Sequence, residues 1–328
     1  SDLGLFERSC QRGIVMESVI TGVLWSVLTV GAIIVFAGIG EIMAERTGVL
    51  NIGIEGIMAM GGAAGVLAVN AYFPNVWFGL LGGALIGGIL GALFALAAVT
   101  LKANQLLVGL AFSFIGNGLA EVIAEPVAND PTLAQFQAIR IPMLADIPLL
   151  GEALFNHNVL VYIAYFVLPV AAYLLLFKTR HGLAIRAVGQ DPAAADASGI
   201  SVHNMRFLYT TFAGMMFGIA GAYLTLALTR SWIHGVIAGR GWIVLTLVFF
   251  SRLSPTFLVF GSLLFGGATS LAFFVQVQGV GINSYILGML PYIITLLLIL
   301  LTNLNRRRSH PVEVGLNPAS LAQPYHRE

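Results

Sequence analysis

The sequence predicts an all-α protein, a polytopic bundle of about eight to ten transmembrane helices with a short helix on its cytoplasmic side. Of its 328 residues, 58% are hydrophobic and only 9% are charged. Soluble domains are usually about one-quarter charged, so this composition indicates a protein whose apolar surface is covered by lipid. The 38 glycines fit that environment, because small residues allow transmembrane helices to approach closely. We therefore expect a multi-pass protein of the cell membrane, either an inner or a plasma membrane.

Apolar runs of membrane-spanning length recur along the chain. A helix needs about 20 apolar residues to cross the hydrocarbon core. The run at 241–251 would reach only about 16 Å as a helix, so we expect a short, tilted or re-entrant element there. In the third run Gly83, Gly87 and Gly91 recur at every fourth residue, which predicts close packing against another helix, the alternative being glycines that face lipid. The full-length runs are 18–40, 52–73, 76–100, 105–123, 158–177, 207–229, 256–275 and 285–304.

The charge pattern divides the chain into three predicted regions: an N-terminal extension at 1–17, a transmembrane domain at 18–305 and a cytoplasmic tail at 306–328. The first apolar run is longer than the core of a signal peptide and no A-x-A site follows it, so we expect it to be retained as a span. Met16 lies just before that run, which makes residues 1–15 a candidate non-native extension.

The distribution of basic residues predicts which loops face the cytoplasm. Cytoplasmic loops carry an excess of Lys and Arg. The connection 178–206 and the cluster Arg306–Arg308 are basic, whereas the loop 124–157 is acidic with a single arginine. We therefore place the first two in the cytoplasm and the loop outside. The side of the N-terminus stays open, because the span count favours the outside whereas Arg8 and Arg12 favour the cytoplasm.

Several classes of chemistry are absent from the sequence. The chain has two lysines, Lys102 and Lys178, and neither follows a glycine, so there is no phosphate-binding loop with which to hydrolyse ATP. The six histidines show no metal-ligand spacing, no G-x-S-x-G nucleophile motif occurs, and the single cysteine excludes an internal disulfide. A net charge of +1 does not suggest a nucleic-acid partner. We expect a protein that is not an enzyme and carries no cofactor.

The first polar group of residues lies at the head of the second apolar run. Asn51 and Glu55 are four residues apart and share one face of a helix. A carboxylate at the bilayer centre costs about 2.5–3.5 kcal/mol, so Glu55 should face the bundle interior. Either these side chains lie on a translocation path or they clamp helices together. Asn117 and Glu121 admit the same two interpretations, and Glu121 also fits the outer membrane interface.

The second polar group of residues predicts a short, well-delimited helix in the basic connection. Asp191 suits the N-cap, Pro192 the first helical position and Gly199 the stop, which encloses a helix at 192–198. An isolated helix of about two turns is marginal in water. We therefore expect it to be held by its own membrane domain or by a partner protein, although a plain connector is the alternative.

Together these two groups resemble the permease family of binding-protein-dependent ABC importers, which includes ribose-type sugar, branched-chain amino acid and nucleoside systems. The similarity covers about residues 20 to 305 and looks closest to nucleoside or simple-sugar permeases. One departure is Ser251–Pro255, which reads SRLSP where the family often has Gly-Arg-Trp-Asn-Pro. The segments that carry the resemblance are Glu45–Gly56 (ERTGVLNIGIEG), Ala184–Ile200 (AIRAVGQDPAAADASGI) and Gly239–Trp242 (GRGW).

The resemblance implies a dimer of identical or related permease subunits, two ATP-binding subunits on the cytoplasmic side and an extracytoplasmic substrate-binding protein. ATP and magnesium would then be bound by the partner subunits, and the helix at 192–198 would be the coupling helix that they move. The residues expected in coupling are Arg186, Gly189, Asp191, Pro192, Asp196 and Gly199. Those expected near the substrate pathway are Asn51, Glu55, Phe112, Asn117 and Trp242.

The substrate predicted from the sequence is a nucleoside. A sugar site needs more polar groups than these spans offer, whereas Phe112, Phe114 and Trp242 are available for stacking, although aromatic residues in spans more often serve packing. A simple sugar or a branched-chain amino acid remains the alternative within the family. From another class, an ion-coupled secondary transporter could use Glu55 or Glu121 as a proton site, and an intramembrane enzyme is a third hypothesis for which no catalytic pair is visible.

Overall fold

The structure is a computed structural model that describes residues 2–147, 151–278, 283, 286–294, 296–297, 300 and 318–325, with side chains from Ile20 onward. Within these residues, seven helices are long and apolar enough to cross a membrane, in agreement with the predicted helical bundle. The predicted span at 285–304 falls partly outside the described residues, and its described residues, 286–294, 296–297 and 300, are helical. The seven candidate spans are Ile20–Glu45, Ile54–Tyr72, Val76–Thr100, Gln105–Val127, Val159–Lys178, Val202–Leu228 and Pro255–Val277.

The helices follow the apolar runs closely, and several spans end in a wider π-helical turn. In chain order the helices of the first half are α1 (Asp2–Glu45), α2 (Ile54–Leu67), α3 (Val76–Ala95), α4 (Gln105–Ala124) and α5 (Gly151–Phe155). Those of the second half are α6 (Val159–Tyr162), α7 (Leu168–Lys178), α8 (Arg180–Gln190), α9 (Pro192–Ala197), α10 (Val202–Tyr223), α11 (Arg240–Phe250) and α12 (Pro255–Val277).

The helix α1 runs between the two ends of the bundle. Near one end Trp25 Nε1 donates to Asn156 O at 2.9 Å, and at the other Arg46 donates to Leu253 O at 3.0 Å. We call the first the loop end, since it includes residues 125–158, and the second the basic end, since it gathers arginines. The predicted boundary at residue 40 was wrong, because the helix continues to Glu45: its carboxylates lie inside the bundle, so a charge does not mark the membrane surface here.

Close helix packing at the centre depends on glycine. The predicted stripe on α3 lies against α10, where Gly87 meets Gly214 and Gly218. A methyl group on Gly218 would collide with the backbone of Gly83, and one on Gly61 of α2 would collide with Gly218. Three helices therefore meet backbone to backbone at one level, which confirms the packing role predicted for the glycines and gives van der Waals contact without polar groups.

The short apolar run forms half of a broken crossing. Its helix, α11, is preceded by an irregular segment at 229–239, which begins at the loop end, where Trp232 pairs with Ala128. The turn that follows α11 reaches Arg46 at the basic end through Leu253. The segment and α11 together therefore pass once through the bundle. Irregular backbone is tolerated at such depth only where protein or a wet cavity surrounds it.

The loop predicted at 124–157 contains structure of its own. A two-stranded antiparallel sheet pairs β1 (Ala138–Arg140) with β2 (Asn156–Asn158), with Ile139 opposite His157. His157 is buried, and its ring stacks on Trp25 at 5.3 Å. Burial lowers the pKa of His157 below its usual value, which keeps it neutral at neutral pH. This loop is thus held against α1 at Trp25.

We predict that Gly218→Ala lowers the thermal unfolding midpoint of the purified protein. The added methyl group must displace the backbone of α3, and overpacking of this kind costs about 1–3 kcal/mol. Gly267→Ala in α12 is the matched control, because no atom lies within 4 Å of a Cβ built there. Equal midpoints for the two variants, measured in detergent, would contradict the proposed close packing.

Candidate functional site

Glu55 joins α2 to the broken crossing. Its Oε1 accepts a hydrogen bond from Gly239 N at 2.7 Å, and its Oε2 accepts one from Gly241 N at 2.6 Å. The side chain is only 7% exposed. The first amides of a helix have no partner within the helix and carry the positive end of its dipole, so a carboxylate is the fitting cap. Glu55 therefore caps α11 from another helix.

Glycine makes this cap possible. A Cβ on Gly241 would lie 2.6 Å from Glu55 Cα, which leaves no room for any side chain. Gly239 precedes α11 with φ of +79°, a conformation that favours glycine. The two glycines of the GRGW segment thus let α11 begin directly against α2.

Glu121 holds the other half of the same irregular segment. Its Oε2 accepts from Trp232 Nε1 at 3.1 Å and lies 2.7 Å from His234 Nδ1, while its Oε1 accepts from Gly235 N at 2.7 Å. Glu121 belongs to α4, so the segment 229–239 is anchored by carboxylates from two different helices. Both oxygens of each carboxylate are used in these contacts. The clamp interpretation of Glu55 and Glu121 accounts for this geometry.

The turn between α1 and α2 contains a buried polar cluster that the sequence analysis missed. Asn51 N donates to Glu41 Oε1 at 3.0 Å, and Asn51 Oδ1 accepts from Gly53 N at 2.9 Å. Glu41 Oε2, both oxygens of Glu45 and Asn51 Nδ2 are buried without a hydrogen-bond partner among the described residues. The spacing of Glu41 and Glu45, one helical turn apart, was the available signal.

Most of the predicted pathway residues meet at the head of α2. The backbone of Phe112 packs on Gly56, and its ring contacts Phe94 edge-on at 5.7 Å. Trp242 follows Gly241 and is 38% exposed. Asn51 and Glu55 lie on either side of the contact between Phe112 and Gly56. In the same region, Ser113 Oγ donates a hydrogen bond to Ile52 O at 3.0 Å. Asn117 lies one turn further along α4 and donates to Ser113 O on its own helix at 2.8 Å, while Phe114 is 75% exposed.

The predicted coupling helix forms as α9, one residue shorter than expected. Asp191 Oδ1 accepts from Ala194 N at 3.0 Å, Pro192 occupies the first turn and Gly199 has φ of +84°. Asp191 and Gly199 are exposed. The inner face of α9 is held by the chain itself, since Ala195 packs with Val188 and Val202. The helix is therefore fixed on one side and open to solvent on the other.

The remaining coupling candidates connect α8 and α9 to the rest of the basic end. A Cβ on Gly189 would collide with Arg46 O, so α8 lies directly against the turn after α1. Arg186 is half-buried, with its guanidinium 5.3 Å from the centre of the Phe177 ring. Asp196 Oδ2 accepts from Tyr325 OH at 3.1 Å. These residues face the chain itself, whereas Asp191 and Gly199 face outward.

Arg206 joins three segments of the basic end, and no sequence motif points to it. Its guanidinium donates to Thr47 O at 3.1 Å, to Ser320 Oγ at 2.9 Å and to Gln323 O at 2.9 Å. Ser320 Oγ in turn donates to Gly189 O at 2.7 Å. Residues 318–325, which were predicted to be part of a cytoplasmic tail, therefore pack on the bundle at α8 and α10.

No group of three or more His, Cys, Asp or Glu side chains that could hold a metal ion occurs in the described part of the chain. The described structure instead combines a tightly packed helical bundle, a broken crossing held by carboxylates and an exposed capped helix.

The family model for the permease component of branched-chain amino acid transport systems matches residues 23–302. The chain is 32% identical to a protein of Haloferax volcanii provisionally named glucose ABC transporter permease protein TsgC13, over 94% of this chain and 98% of the relative. It is 33% identical to the nucleoside ABC transporter permease protein NupC of Lactococcus lactis, over 82% and 88%. It is 31% identical to the guanosine ABC transporter permease protein NupQ of Bacillus subtilis, over the same shares.

These matches agree with the seven candidate spans and with the missing phosphate-binding loop. The protein is a multi-pass plasma-membrane protein that works with ATP-binding and substrate-binding partners and leaves ATP hydrolysis to other subunits. The chain therefore belongs to the branched-chain amino acid transport system permease family, as a membrane-spanning subunit of a binding-protein-dependent ABC importer.

Proposed function

We propose that this permease subunit imports a nucleoside, working as one of two permease subunits with two ATP-binding subunits and one extracytoplasmic binding protein. ATP and magnesium are held by the ATP-binding subunits. The observation that carries the mechanism is α9, a capped helix whose inner face is packed on the bundle and whose Asp191 and Gly199 are exposed. Such a helix is fitted to transmit a push from a partner to the membrane domain.

The contacts offer a continuous route from α9 to the head of α2. The segment that carries α9 is fixed to the turn after α1 by the close approach of Gly189 to Arg46 and by Arg206 to Thr47. That turn leads through Asn51 to Glu55, which holds α11. Movement of α9 would thus change the position of the broken crossing, and the two halves of that crossing would open or close the path.

Two observations support a nucleoside as the substrate. The NupC and NupQ relatives carry nucleoside and guanosine in their names and match 88% of their own length. The aromatic rings of Phe112 and Trp242 lie near the head of α2, where they suit stacking of a nucleoside base. A simple sugar is the second candidate, favoured by the similarity to TsgC13.

An ion-coupled secondary transporter fits the geometry poorly. Such a protein would need Glu55 or Glu121 to take up and release a cation during transport. Both oxygens of Glu55 accept backbone amides, and those of Glu121 contact Gly235 N, Trp232 Nε1 and His234. Releasing either carboxylate from these donors would break the anchor of the 229–239 segment.

We predict that Asp191→Ala uncouples transport. The substitution removes the side-chain cap of α9, at a cost of about 1 kcal/mol, and frays a helix that has under two turns. In proteoliposomes with the complete transporter, uptake per ATP hydrolysed should fall severalfold. Asp191→Asn is the matched control, because asparagine caps as well as aspartate and should preserve coupling. Normal coupling in Asp191→Ala would contradict a role for the capped helix.

We predict that Glu55→Gln impairs transport while leaving assembly with the ATP-binding subunits intact. The neutral amide offers one acceptor oxygen for two amides, and a hydrogen bond to a charged group contributes about 1.5–3 kcal/mol. Uptake should fall at least about tenfold, and co-purification should be unchanged. Glu152→Gln, at an exposed residue of α5, is the control. Transport by Glu55→Gln at the wild-type rate would contradict a role for the Glu55 cap in controlling the translocation path.

The substrate is tested with the complete transporter and its binding protein. We expect ATP-dependent uptake of labelled guanosine or another nucleoside, competed by other nucleosides. Uptake of labelled glucose or leucine in the same vesicles, with no nucleoside uptake, would favour the sugar or amino acid alternative. Uptake by the permease alone, driven by a pH gradient without ATP, would instead support the secondary transporter.

A further inference from the structure

A cavity of about 530 Å³ opens at the basic end, away from the head of α2. It lies between the end of α7, the middle of α8 and the turn that joins α11 to α12. Three arginines contributed by three different segments surround it. Its lining includes Arg46, Arg186, Arg252, Gln190, Phe177 and Phe257.

Two of these arginines, Arg46 and Arg186, form no hydrogen bond or ion pair with an acid in the described part of the chain, and Glu45 acts on Arg46 only through its charge. Arg46 donates to the carbonyl oxygens of Leu253 and Arg252, which are neutral acceptors. Arg186 Nε is buried without a hydrogen-bond partner in the described structure. Neither arginine belongs to an ion pair formed among the described residues. An unsatisfied, buried guanidinium N–H is costly, so it points to an anionic ligand.

The two guanidiniums are also held close together. Both lie over the ring of Phe177, with Arg46 at 5.6 Å and Arg186 at 5.3 Å from its centre. Burial lowers the pKa of Arg46, and the positive charge of Arg186 lowers it further by a smaller amount. The negative charge of the neighbouring Glu45 raises this pKa but only partly offsets the two effects. The charge of Arg186 therefore acts unfavourably on that of Arg46, and an anion bound beside both guanidiniums would relieve this repulsion.

The cavity lies where two spans reach the membrane surface. Phe177 is in the last turn of the span Val159–Lys178, and Phe257 is in the first turn of the span Pro255–Val277. The ring of Phe257 is 58% exposed, as expected for a side chain that faces lipid. The positive-inside rule places this basic end at the cytoplasmic leaflet. The arginines therefore lie at the depth of lipid headgroups.

We propose that Arg46, Arg186 and Arg252 form a phosphate-binding site whose ligand is the headgroup of an anionic phospholipid of the cytoplasmic leaflet. A guanidinium binds phosphate oxygens in a planar, two-pronged geometry, and the cavity places guanidinium groups from three segments around one space. The exposed Phe257 lies beside the acyl chains of that lipid. Free phosphate has the same chemistry and is the other possible source of the ligand.

A phosphate group bound in this cavity would stabilise the part of the protein that α9 moves. Arg186 lies in α8, which directly precedes α9, whereas Arg46 holds the Arg252–Leu253 turn that follows α11. Both residues of that turn have positive φ, 54° and 56°, which is uncommon for residues other than glycine. A phosphate between Arg186 and this turn would link α8 to the end of the broken crossing.

The test is native mass spectrometry of the purified chain, together with its thermal unfolding midpoint, in the presence of phosphatidylglycerol, phosphatidylcholine or inorganic phosphate. We expect phosphatidylglycerol to be retained and to raise the midpoint, and phosphatidylcholine of the same acyl chains to do neither. Arg186→Gln should weaken retention of phosphatidylglycerol by about tenfold or more. Arg180→Gln, an exposed arginine at the start of the same helix, is the matched control and should behave as wild type.

The outcomes separate the possible ligands. Stabilisation by millimolar inorganic phosphate, lost in Arg186→Gln and with no gain from lipid, would keep the phosphate site and overturn the lipid source. Equal lipid retention by wild type and Arg186→Gln with no phosphate effect would overturn the site itself. So would an effect of Arg186→Gln seen only with the ATP-binding subunits present, since an acid of the partner would then fill the cavity. If Arg186→Gln fails to fold, Arg252→Gln serves in its place.

Discussion

The hydrogen bonds that the first amides of α11 donate to the carboxylate of Glu55 are the interaction on which the architecture depends. A backbone that leaves the helical conformation inside a bundle loses its internal hydrogen bonds and has no water to replace them. Here Glu55 of α2 accepts hydrogen bonds from two of the freed amides. Glu121 of α4 accepts hydrogen bonds from Gly235 N and from the indole N–H of Trp232. Without these acceptors the chain could not cross as an irregular segment followed by a half-length helix.

The same logic operates at the basic end, with donor and acceptor exchanged. There the helical conformation is interrupted at residues 46–53 and again at the Arg252–Leu253 turn. These interruptions leave backbone carbonyl oxygens without helical partners, and arginine side chains supply the hydrogen-bond donors. Arg46 donates hydrogen bonds to the carbonyl oxygens of Leu253 and Arg252, and Arg206 donates one to the carbonyl oxygen of Thr47. Each arginine joins segments distant in sequence, so the region around α9 is stiff enough to move as one body.

The sequence predicted the spans because a long apolar run has few alternatives to a membrane helix, and it predicted α9 because Asp191, Pro192 and Gly199 are local signals. It placed the end of α1 too early, since it took Glu41 for the membrane boundary. It could not show that Glu55 and Glu121 hold one segment, because that depends on how distant helices pack. Arg206 and Ser320 were missed for the same reason, while the pathway and coupling roles stay predictions.

The two interpretations of Glu55, a clamp and a pathway residue, do not exclude each other. By accepting one backbone amide at each oxygen, the Glu55 carboxylate fixes the position of α11 and so of Trp242 beside it, and each oxygen keeps a further acceptor site. If the translocation path opens by displacement of α11, the strength of this cap determines how far a movement of α9 displaces α11. Hydrogen bonds to a charged group are among the stronger ones, and this cap lies where α2 and α11 approach closely because Gly241 leaves no side chain between them.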